Sequence, residues 1–174
     1  MKFKKCFLVA LLPFAVSTKA EEGKWYDFEW NNGKAMTHYH GLSKVDDGSV
    51  VHAKMFWVAR INHSRTGEQL IYFDHTYSNA TSCTPSEYPK NHVWKFNHQP
   101  VQMVLWCKKY SDSNHYFLTG TAVSEKGQKF IYKQFSSTEY DSVFIDSNDH
   151  NGWSVHIKNK GFIDTWNQSG GNAL

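Results

Sequence analysis

Two cysteines constrain this chain more than any other pair of residues. Cys83 sits in a stretch rich in Ser, Thr and Pro, and Cys107 ends the apolar run Val101-Gln-Met-Val-Leu-Trp-Cys107. In an oxidising compartment two cysteines of one small domain usually join. The pattern therefore predicts a Cys83–Cys107 bridge that ties a loop to the most hydrophobic strand. Closing a loop of that length stabilises a fold by about 3.5 kcal/mol on the chain-entropy account.

The compartment is argued from the first twenty residues. Lys2, Lys4 and Lys5 precede the apolar run Cys6–Val16, and Thr18-Lys19-Ala20 closes the segment on a small residue. This is the pattern of a secretory leader, with cleavage expected after Ala20. The apolar run is shorter than the about 20 residues that span a bilayer, so no stable membrane insertion is expected after cleavage. Cys83 and Cys107 then remain as the cysteines of a periplasmic or secreted chain. Of the 19 basic residues, Lys2, Lys4, Lys5 and Lys19 lie in the leader, which leaves 15 against 16 acidic residues and a net charge of −1. The overall basic balance belongs to the leader. No clustered basic footprint remains to engage nucleic acid.

Residues 21–174 are expected to form one β-rich domain, because no linker, repeat or low-complexity tract divides them. Period-two alternation marks its strands. Tyr26, Phe28 and Trp30 alternate with Asp27 and Glu29, which predicts the three aromatics on one face. After the turn Asn31-Asn-Gly33 comes an extended run to Leu42, and Val45–Gly48 reads as a hairpin turn. The longest strand is expected over 49–61, with Met55, Trp57 and Ala59 facing a core. A return strand over 68–75 follows, then a loop pinned by Cys83. Runs at 92–97, 101–110, 115–124, 128–135, 140–146 and 153–158 complete the set, and the turns between 101 and 135 suggest a three-stranded meander. Phe162 and Trp166, four apart and followed by Gly170, predict a short C-terminal helix. The fold class is an antiparallel β-sandwich or barrel of about eight or nine strands with that helix.

Three groups of residues are candidates for function. Met36, His38 and His40 share one strand face. They offer a thioether and two imidazoles, ligands suited to Cu or Zn. Register decides their neighbours: one hairpin loop length brings them beside Met55 and Trp57, another beside His52 and Lys54. Asp27 and Glu29 share the opposite periodicity and are candidate paired carboxylates for a sugar-cleaving site. Trp25, Trp30 and Tyr39 are candidate binding-surface aromatics, since Trp and Tyr anchor many interfaces.

No local motif frames a nucleophile, and no phosphate loop, HExxH or CxxC is present. The expectation is a non-enzymatic exported binding protein that engages another protein, as an inhibitor or a toxin-immunity factor. A Cu- or Zn-binding protein using His38, His40 and Met36 or Met55 is the second reading. A carbohydrate-active enzyme using Asp27 and Glu29 is the third.

Overall fold

A computed structural model describes residues 24–44, 50–77, 81–147 and 154–170. The segment expected to be a leader and the turns expected at Val45–Gly48 and after Ser147 lie outside these residues. The described residues form nine strands: β1 (Lys24–Asn31), β2 (Lys34–Lys44), β3 (Val50–His63), β4 (Gln69–Tyr77), β5 (Lys90–Phe96), β6 (Gln99–Lys109), β7 (Tyr116–Ala122), β8 (Ser142–Asp146) and β9 (Ser154–Lys158). Helix α1 (Glu125–Ser136) follows β7 and helix α2 (Phe162–Gln168) follows β9. Every strand pairing is antiparallel, in the order β1-β2-β3-β4-β7-β6-β5-β8-β9. The sheet curls into a nearly closed barrel. Its ends approach where Trp30 N donates to Lys160 O at 3.1 Å. Among the described residues no helix is long and apolar enough to cross a membrane.

Alternation along β3 divides the sheet's two faces as the pattern predicts. Met55, Trp57 and Ala59 are buried, and Phe73 of β4 and Trp94 and Phe96 of β5 join them in one core cluster. Aromatic rings supply much of the filling. Trp57 meets Trp94 edge-on at 5.4 Å, and Phe73 meets Phe96 at 5.2 Å. Fully burying one such apolar side chain contributes roughly 1.5–3 kcal/mol.

The bridge predicted from the cysteines is present, with the Cys83 and Cys107 Cα atoms 5.8 Å apart. Ser82 N also donates to Tyr116 O at 2.8 Å, so the loop before β5 is fixed to both β6 and β7.

Two local features depart from the alternation. The first is a bulge in β1. Pairing runs regularly from Lys24↔His40 to Phe28↔Met36 and resumes at Asn31↔Lys34, with one extra residue on β1 between them. A one-residue slip exchanges the faces of all that follows. Trp30 therefore turns into the core with 4% exposure, while Tyr26 and Phe28 point outward with 39% and 49%. The three aromatics do not share a face.

The second is α1, which replaces the strand expected over 128–135. Ser124 caps it by accepting from Gly127 N at 3.1 Å, and Lys129 pairs with Glu125 one turn earlier. Ile131 and Phe135, four apart, are its buried residues. The meander is thus a two-stranded hairpin, β6–β7, followed by a helix laid against the core. The C-terminal helix forms as expected, with Phe162 buried and edge-on to Trp30 at 5.0 Å.

Candidate binding face

Register settles which side each candidate residue occupies. Across the β2–β3 ladder His40 faces Lys54, His38 faces Phe56, and Met36 faces Val58. Tyr39 faces Met55 and Thr37 faces Trp57, on the core side. Met55 is 1% exposed and is separated from the histidines by the sheet itself. It belongs to the core and not to a ligand set with His38 and His40. The side chain of His52 lies outside the described residues.

The outward face of β1, β2 and β3 gathers rings into one patch. His38 stacks against Tyr26 at 5.0 Å and Phe28 at 5.4 Å. It also lies 4.6 Å from His40 and 5.4 Å from Phe56. Lys24 sits over the Tyr26 ring at 5.2 Å. Burial holds His38 below the ordinary imidazole range. The neighbouring His40 and the Lys54 ammonium add to that, and Asp27 pulls the other way. Its Nδ1 is buried without a hydrogen-bond partner in the protein.

Beside this patch lies a groove of about 560 Å³. Met36, Phe56 and Val58 form one wall, and Tyr110 and Phe117, 4.8 Å apart, form the other. Asp74 in its floor is held by Arg60 at 2.6 Å. Burial raises Tyr110 above the usual phenol range, although a hydrogen bond to Thr76 opposes the shift.

The remaining sequence candidates separate. Asp27 accepts from Thr37 Oγ1 at 2.5 Å on the core-side face. Glu29 pairs with Lys160 at 3.0 Å, at the rim of a different cleft near Asn159. The two carboxylates thus serve different partners. Of the three aromatics expected at a surface, Trp30 is core, Tyr39 packs partly against the core, and Trp25 is 37% exposed with its ring 5.3 Å from Tyr39.

Chemically, the patch offers two adjacent imidazoles and exposed rings. Among the described residues no group of three His, Cys, Asp or Glu side chains stands close enough to share a metal ion. A cation at His40 would also face the Lys54 ammonium. Tyr26, Phe28, Phe56, Tyr110 and Phe117 are members that the sequence pattern did not single out. Their one visible signal was the apolar residues Phe56 and Val58 at positions of β3 that alternation assigns to solvent. No protein-family model, curated protein or solved structure matches the chain.

Proposed function

We propose that the chain is an exported, non-enzymatic binding protein that engages another protein through the outward face of β1, β2 and β3, as an inhibitor or immunity factor does. The observation that carries this reading is the continuous patch of Tyr26, Phe28, His38, His40 and Phe56, with Phe28 49% exposed. Contiguous exposed apolar surface of this kind marks interaction sites. The groove between Phe56 and Phe117 extends the patch and offers a seat for a partner side chain. The leader pattern and the Cys83–Cys107 bridge support export.

The carboxylate pair favours no sugar-cleaving site, because Asp27 and Glu29 are engaged with Thr37 and Lys160. The test of the binding reading compares the mature protein with Phe28→Ser/Phe56→Ser. A partner isolated with the wild-type domain should lose at least about tenfold in affinity for the variant, as it does when interface anchors are truncated. Equal affinity for both proteins contradicts the reading.

A further inference from the structure

The face described above carries an excess of positive charge, since its one described carboxylate, Asp74, is paired with Arg60. Outward positions of β1, β2 and β3 place Lys24, Lys34 and Lys54 around the aromatic patch. None of these lysines is ion-paired with a carboxylate among the described residues. Every described carboxylate of β1 to β4 is spoken for. Asp27 is bound to Thr37 on the other face, Glu29 to Lys160, and Asp74 to Arg60. At the centre of the patch two imidazoles lie 4.6 Å apart, with Lys54 directly across from one of them.

From this charge pattern we infer that the segment seated on the face is an acidic stretch of a partner protein, bearing Asp or Glu beside apolar side chains, and that protonation of His38 tightens its docking. The inference rests on the protein-binding reading above and names the chemistry of the partner. Lysines at the rim complement carboxylates and steer them in, while Phe28 and Phe56 receive the apolar side chains. The titratable groups that bear on His38 are Tyr26 and Asp27 of β1, His40 on its own strand and Lys54 of β3. Two of these oppose a second positive charge in the free protein. A bound carboxylate offsets that repulsion, so docking takes up a proton, and acid favours the complex.

The experiment selects a displayed library of random peptides on the disulfide-bonded mature protein and measures the winners by fluorescence anisotropy. Enriched peptides should carry an excess of Asp and Glu together with aromatic or aliphatic residues. They should bind about fivefold tighter at pH ~5.5 than at pH ~7.5, a difference that His38→Gln/His40→Gln reduces to less than about twofold. Lys54→Glu should weaken them by about tenfold or more, and added salt should weaken them too. Neutral or basic winners that still require Phe28 and Phe56 overturn the acidic partner and leave the binding reading standing. Winners indifferent to Phe28→Ser/Phe56→Ser overturn both. Tighter binding to heparin or to vesicles containing phosphatidylglycerol than to any peptide overturns the assignment to a protein segment.

Discussion

His40 stands directly across the β2–β3 ladder from Lys54, while Tyr39 beside it faces Met55 on the other side of the sheet. This pairing sends Met36, His38 and His40 outward and leaves Met55 and Trp57 in the core. It also places the Lys54 ammonium near enough to His38 to disfavour added positive charge there. Zinc or copper added to the folded protein is therefore expected to bind no more tightly to wild type than to His38→Ala/His40→Ala. Isothermal titration checks this. A site tighter than about 10 µM that disappears in the double variant would support the metal reading.

Acid should destabilise the fold through a second histidine. His75 lies against Trp57, ring centroids 4.6 Å apart, and burial lowers it to about 4 from 6.5. Above pH 6.5 both the native and the unfolded chain carry it neutral, and its contribution to stability is fully present. Between 6.5 and about 4 the unfolded chain takes up a proton that the native one refuses, so stability falls as the pH drops through this window. The loss is on the order of 3 kcal/mol. Urea unfolding across that range should give a shallower decline for His75→Gln. Parallel curves for the two proteins would dismiss the role of His75.

Closure of the barrel depends on a glycine. Gly161 has φ +82°, and a Cβ built there would lie 2.6 Å from Trp30 O, next to the Trp30 N–Lys160 O bond. Gly170 also has positive φ, at +101°, but its Cβ would meet nothing within 4 Å. Both alanine variants carry the backbone cost of about 1 kcal/mol. Gly161→Ala should cost clearly more, because Trp30 must also move. Equal thermal shifts for the two variants would show that the contact with Trp30 contributes nothing.

The bridge between loop and sheet should be worth a measurable share of the total stability. Cys83→Ala/Cys107→Ala is expected to lower the unfolding free energy by about 3.5 kcal/mol. Denaturant titration with and without reductant reads this directly. A change below about 1 kcal/mol would mean that hydrogen bonds such as Ser82 N to Tyr116 O already hold the loop.

What was legible in the chain was whatever depended on one strand at a time. Met55, Trp57 and Ala59 mark the core face of β3 by spacing alone, and Phe162 with Trp166 marks α2. The bulge between Phe28 and Asn31 was not legible, because it is fixed by how β1 pairs with β2 and by the demand of Trp30 for space beside Phe135 and Phe162. Residues 128–135 satisfy both periods. Alternation suits a strand, and the pair Ile131 and Phe135 suits a helix. The Ser124 cap and the run of Glu, Lys and Gln decide for the helix. The hairpin at Asn97-His98, both with positive φ, links β5 to β6 by a turn in which His replaces the usual Gly. The candidate face was hidden for the same reason as the bulge. Tyr26 and Phe28 look like core residues until the register of their neighbours is known.

Site-specific photocrosslinking reads out which face of the sheet a partner covers. A photoreactive phenylalanine analogue at position 28, in the outward patch, is compared with one at Lys133, exposed on α1. With the partner's acidic segment or the intact partner present, a discrete covalent adduct should form from position 28 and none from position 133. Adducts of equal yield from both positions, or from position 133 alone, would contradict the assignment of the β1–β3 face as the docking surface.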